Sequence, residues 1–129
     1  MWAYGQLLPL ADPVNMVTLG EGDTPLVPAR GEGLNPTGSH KDRALALAVS
    51  RAREVKAPRV VIASTGSAGV AAAAYCARAG LPCLVLVPQG TPSERLAPMA
   101  ILGARLVELQ GTFVQIERRL DALEGDPSW

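Results

Sequence analysis

Between Arg59 and Leu109 the chain sets three short apolar runs: Arg59-Val60-Val61-Ile62-Ala63, Cys83-Leu84-Val85-Leu86-Val87 and Arg105-Leu106-Val107-Glu108-Leu109. A helical pattern follows each one. The first is continuous rather than alternating in apolarity, which predicts a strand covered on both faces, as in a parallel sheet. Right-handed crossovers then give an α/β fold: an open parallel sheet with helices packed over it. The intervening segments carry helix punctuation. Residues 68–79 are Ala-rich and stop at Gly80, a good left-handed C′ residue, with Pro82 beyond. Thr91, with Pro92 at N1 and Glu94 at N3, predicts a capping box for the next helix, which Gly103 closes and Pro98 is expected to kink or shorten. Thr112 and Gln115 predict the cap of the last helix, whose Phe113, Ile116, Leu120 and Leu123 form an apolar stripe. There is no internal repeat beyond this alternation.

Upstream of the alternation stands Asn35-Pro36-Thr37-Gly38-Ser39-His40-Lys41-Asp42-Arg43. Asn-Pro and Thr-Gly are turn chemistry, so the backbone is expected to bend just ahead of Lys41. Ser39 and Asp42 read as a capping box opening a helix from Ser39 to about Val55, with Leu45, Ala48, Val49 and Ala52 on one face. Lys41 then falls in the first turn, where the helix dipole disfavours an ammonium and favours a free amine, the form that attacks a carbonyl carbon. On those residues alone a solvated surface lysine is the competing reading. Lys56, just past the last turn, has an ordinary explanation in the dipole.

Residues 1–33 hold four prolines and five glycines, with short apolar pieces such as Met16-Val17-Thr18-Leu19 and Pro25-Leu26-Val27, and read as extended segments and turns with one or two strands. The expected organisation is a lead-in over 1–38 and a parallel α/β domain over 39–129.

Zero formal net charge, 48% hydrophobic and 4% aromatic residues argue against a nucleic-acid or anionic-membrane surface, and no apolar run approaches a bilayer span. A cytoplasmic protein is expected. Cys76 and Cys83, the only cysteines, read as buried free thiols; with one histidine at unrelated spacing they make no metal cluster.

The lysine motif resembles that of the pyridoxal-phosphate enzymes of the tryptophan synthase β-like family (fold type II). Leu19-Gly20-Glu21-Gly22-Asp23-Thr24-Pro25-Leu26 is similar to the motif that family carries upstream of the lysine, and Ser64-Thr65-Gly66-Ser67-Ala68-Gly69 is similar to its substrate-carboxylate loop. The three stand in the family's order, and within the family they look most like the threonine synthases. That resemblance implies pyridoxal 5'-phosphate as cofactor and Lys41 as the Schiff-base lysine, with His40 and Ser67 beside the cofactor. It places the carboxylate of an amino-acid substrate on Ser64, Thr65, Gly66, Ser67 and Ala68. The implied reaction converts O-phospho-L-homoserine and water to L-threonine and phosphate, in a homo-oligomer such as a dimer.

Two positions depart from the family. Ser67 stands where asparagine is usual, so a single hydroxyl replaces an amide. His40 stands where phenylalanine is frequent and reads as a packing residue rather than a general base. A helix and a strand usual between the first two motifs are missing here. The family's Gly-rich phosphate cradle would lie beyond Trp129, so the chain is expected to be an amino-terminal portion with little turnover alone. Serine/threonine dehydratase chemistry shares the lysine motif and is the alternative, as is a non-catalytic association module. A Rossmann nucleotide site fits less well: Gly66-Ser67-Ala68-Gly69 lacks the full G-x-G-x-x-G, and no acidic residue follows the second strand.

Overall fold

A computed structural model describes residues 2–22 and 31–122. Three strands, β1 (Val60–Ala63), β2 (Cys83–Pro88) and β3 (Arg105–Leu109), form one parallel sheet in the order β1-β2-β3. Val60 pairs with Cys83 and Leu84 with Arg105. The helices are α1 (Lys41–Glu54), α2 (Ser67–Ala79), α3 (Ser93–Ile101) and α4 (Phe113–Ala122). The α/β architecture and the strand–helix alternation match the sequence reading.

Both faces of the sheet are covered, as continuous apolar strands require. Cys83, Val85 and Val87 alternate onto one face, where they join Ala71, Ala72, Ala73, Tyr75 and Cys76 of α2 in a buried core. Leu84 and Leu86 take the other face, and α4 packs there over β1 and β2 through the fully buried Ile116. The alanines bring α2 close to the sheet. At Gly69 the approach is closer still, since a Cβ there would stand 2.9 Å from Met99 Sδ.

Helix endings follow the expected glycines. Gly80 adopts φ 68°, its N–H bonds Ala77 O, and Leu81 N–H reaches back to Cys76 O at 3.0 Å, the paired bonds of a Schellman motif. Gly103 closes α3 in the same way, with Ala104 N–H on Met99 O at 3.1 Å. Pro98 lies inside α3 without ending it.

Helix beginnings depart more. The Thr112–Gln115 box forms reciprocally, with Thr112 N–H on Gln115 Oε1 at 2.8 Å and Gln115 N–H on Thr112 Oγ1 at 3.4 Å. The Thr91 box does not form: its hydroxyl donates to Pro88 O at 2.6 Å, α3 begins one residue after Pro92, and no side chain caps it. The Ser39 box is also absent. Ser39 Oγ accepts from Lys41 N–H at 3.2 Å, while Asp42 turns its carboxylate to Thr37.

The buried face of α1 is Asp42, Ala46, Val49 and Ser50, so that of the expected stripe only Val49 is fully buried. Leu45 and Ala52 are half-buried and Ala48 is exposed. The helix is rotated because two polar residues on it have partners inside. Ser50 Oγ donates to Ala46 O and accepts Val17 N–H, both at 2.7 Å. At the far end of α1, Glu54 accepts the N–H groups of Ala11 and Asp12 at 2.8 and 2.9 Å. The lead-in is thereby moored along α1. It contains short 3-10 turns at Trp2–Leu7, Pro13–Asn15 and Gly31–Leu34, and no strand among the described residues. Of the two apolar pieces that could have supplied one, 16–19 is not a strand, and Pro25-Leu26-Val27 lies outside the described residues, as does Leu123 of the last stripe.

Candidate active site

Lys41 is the first residue of α1 and is half-buried. Among the described residues its amine has no hydrogen-bond or ion-pair partner, so it is neither locked in a salt bridge nor fully in water. His40, before it, is exposed, has helical backbone angles and gives no capping bond. What shapes the turn is Asn35 and Thr37. Gly38, at φ 77°, donates its N–H to Asn35 O at 2.8 Å, and a side chain there would be strained. Thr37 gives both its N–H and its hydroxyl to Asp42 Oδ2, at 3.1 and 2.9 Å.

Behind this turn lies a polar cluster that the sequence reading did not single out. Glu21, only 4% exposed, gathers four donors. Its Oε2 accepts from the Tyr75 hydroxyl at 2.9 Å, Leu19 N–H at 3.0 Å and the Thr18 hydroxyl at 3.1 Å, and its Oε1 from the Trp2 indole. Asn35 Oδ1 accepts Gly22 N–H at 3.2 Å. The upstream motif is therefore clamped to α2 through Glu21 and to the lysine turn through Asn35. Residues 23–26 of that motif lie outside the described residues. Burial holds the Tyr75 phenol well above its usual pKa, with Glu21 and then Asp42 adding to the effect. The only sequence signal for this cluster was an acid inside a Gly-rich motif.

The second part of the site is the β1–α2 loop. It lies outside the carboxyl end of β1, the edge at which open α/β sheets bind ligands. Ser64 is buried, and its hydroxyl accepts Gly69 N–H at 2.9 Å and Gly66 N–H at 3.3 Å. It frames the loop from inside. Thr65 and Ala68 are half-buried, and Gly66 and Ser67 are exposed. The first helical bonds of α2 come from Gly69 and Val70 to Gly66 O, which leaves the N–H groups of Ser67 and Ala68 without a backbone acceptor. With the Thr65 and Ser67 hydroxyls they form a donor set suited to a carboxylate or phosphate. Lys41 and this loop begin two helices, α1 and α2, that pack against each other.

These residues fit the reacting end of pyridoxal phosphate: an unpartnered amine for its aldehyde and a donor-rich helix start for an anion. No helix among the described residues is long and apolar enough to cross a membrane.

Comparison with known proteins bears on the family. The chain is 41% identical over 124 residues to a threonine synthase of Halalkalibacterium halodurans, covering 85% of this chain and 35% of that protein. A threonine synthase of Methanocaldococcus jannaschii is 38% identical over 128 residues, covering 88% and 32%. The chain thus spans about a third of the length of these relatives. Among solved structures, threonine deaminase isoform 2 from Solanum lycopersicum superposes with a TM-score of 0.66 at 25% identity, over 74% of this chain and 28% of that one. Serine racemase from Dictyostelium discoideum does so with a TM-score of 0.63 at 28% identity, over 75% and 32%. Residues 17–129 match the family described as pyridoxal-phosphate dependent enzyme, and the chain belongs to that family.

Proposed function

We propose that this chain carries the lysine and substrate-carboxylate parts of a threonine synthase, acting on O-phospho-L-homoserine and water to give L-threonine and phosphate. The observation that carries the reading is Lys41: a half-buried lysine whose amine has no partner among the described residues, at the start of a helix, in a family defined by pyridoxal phosphate. Identity near 40% to threonine synthases over most of the chain supports this substrate over that of a dehydratase.

When bound, pyridoxal phosphate supplies an electron sink for carbanion chemistry at the substrate. The chain's own residues do the rest. Lys41 Nζ would hold the cofactor and would be the group that carries a proton to and from the substrate carbon. The N–H groups of Ser67 and Ala68 and the Thr65 and Ser67 hydroxyls hold the substrate carboxylate, with Gly66 leaving the approach open. Ser64 keeps that loop in shape from beneath. Ser67 and His40 flank the cofactor ring, His40 by packing.

The test is chemical labelling. Only Lys41, Lys56 and the amino terminus carry amines. Incubation with pyridoxal phosphate, borohydride reduction and peptide mapping should mark Lys41 over Lys56 by about tenfold or more. Lys41→Ala should abolish the visible absorbance band, and Lys56→Ala should leave it. Equal labelling of both lysines would mean a generic aldehyde reaction and would refute the proposal.

A further inference from the structure

We propose that Asp42 is a positioning residue for the Lys41 amine, closing the turn that presents it by taking both donors of Thr37. The proposal rests on the reading of Lys41 as the cofactor lysine.

Three observations carry it. The first is that the start of α1 is held from outside by one side chain alone: His40 gives no capping bond, and Ser39 Oγ accepts Lys41 N–H at 3.2 Å. The direction of the Lys41 side chain therefore depends on how the backbone of residues 37–42 is held. The second is that Asp42 holds it from inside the protein. Its side chain is 0% exposed, and its Oδ2 binds Thr37 N–H at 3.1 Å and the Thr37 hydroxyl at 2.9 Å. These two bonds span the lysine. A carboxylate in that position is costly unless it is paired, and the two Thr37 donors offset that cost at Oδ2. The third is that Asp42 Oδ1 has no hydrogen-bond partner and lies near the Tyr75 hydroxyl, which donates to Glu21. The acid thus lies between the lysine turn and α2.

An amine held in one direction reacts with a bound aldehyde faster than one that samples many, and modest misplacement costs one to two orders of magnitude. Removing the Thr37 hydroxyl should loosen the turn while leaving the buried acid its backbone donor.

The experiment measures the ratio of Lys41 to Lys56 labelling by pyridoxal phosphate after borohydride reduction, in the 129-residue chain. Thr37→Val should lower the ratio about tenfold, and Thr37→Ser, which restores the hydroxyl, should return it to within about twofold. Ile116→Val, a buried change on α4 across the sheet, provides a variant of lowered stability with the turn intact, and its ratio should not move. Two results would overturn the proposal: Thr37→Val with the wild-type ratio, or Thr37→Val and Ile116→Val falling together in proportion to stability. Wild-type protein with no preference for Lys41 would refute the functional reading and this proposal with it. Selective wild type with equally selective Thr37→Val refutes this proposal alone.

Discussion

Replacing Tyr75 with phenylalanine removes one hydroxyl from the clamp that joins the upstream motif to α2. Tyr75 is 0% exposed and Glu21 4%, so water cannot easily take the vacated place. The lost bond is a 2.9 Å contact to a carboxylate, a type that contributes about 1.5–3 kcal/mol. Glu21 keeps its Trp2, Thr18 and Leu19 donors and is not orphaned, which argues for the lower half of that range. A loss of about 2 kcal/mol is expected, a midpoint shift of about 1 M in urea. Far-ultraviolet circular dichroism and Trp2 fluorescence would both follow the transition. A change below about 0.5 kcal/mol would mean that the bond is no better than the water it replaces, and would refute the clamp.

The same variant has a pH signature. Burial, Glu21 and Asp42 raise the Tyr75 phenol above its ordinary 10.0. Above pH 10 the unfolded phenol loses its proton while the folded one keeps it, so the unfolded state binds fewer protons and stability falls as pH rises. The contribution is present in full below pH 10 and is lost above it at about 1.4 kcal/mol per pH unit. Phenylalanine does not titrate. The gap of about 2 kcal/mol between the two proteins should therefore close within about 1.5 units above pH 10. A gap that stays constant from pH 8 to pH 11.5 would exclude a buried, un-ionised Tyr75.

Two further outcomes follow from the helix ends. Gly80→Ala forces a Cβ into a left-handed residue and should cost about 1 kcal/mol, seen as a lower urea midpoint with an unchanged slope. The Glu54 carboxyl is held below 4.5, first by the Asp12 N–H and then by Arg51. Its contribution is present above pH 4.5 and lost as pH falls through the lowered value, so a carboxyl titration followed by NMR should place Glu54 below exposed glutamates, and Glu54→Gln should flatten that part of the acid limb.

Much of the frame was legible because it is written in short-range signals. The run Arg105-Leu106-Val107-Glu108-Leu109 is β3 residue for residue, and Gly80 and Gly103 end their helices at the positions their missing side chains allow. Lys41 and residues 64–68, the ones proposed for the site, were legible as motif members. Periodicity failed on α1 because it scores apolar residues only, and half of the buried face there is polar. Asp42 and Ser50 are inside because their partners are inside. One of those partners, Val17, lies 33 residues away along the chain. Glu21 and Tyr75 meet across 54 residues, beyond any window of local pattern. The upstream motif flagged Glu21 without its task, since four converging donors become visible only when Trp2 and α2 are placed beside it.

The three candidate capping boxes show why local motifs are decided by competition. Ser39-x-x-Asp42, Thr91-x-x-Glu94 and Thr112-x-x-Gln115 present the same chemistry, and only the last forms. Thr112 lies at the exposed surface, and its hydroxyl donates to Gln115 Oε1 at 3.3 Å, within the box itself, so the hydroxyl serves the helix. Thr91 follows the end of β2, where the Pro88 carbonyl accepts both its N–H at 3.2 Å and its hydroxyl at 2.6 Å. At Ser39 the rival is Thr37, whose two donors draw the Asp42 carboxylate off the helix end and into the interior. Asp42 thus serves the turn that carries Lys41 rather than the helix that follows it. An acid one residue after a reactive lysine would, if exposed, pair with the ammonium of a neighbouring turn and help to solvate it. Withdrawn and occupied by Thr37, it leaves the Lys41 amine without an ionic partner while fixing the backbone from which that amine projects.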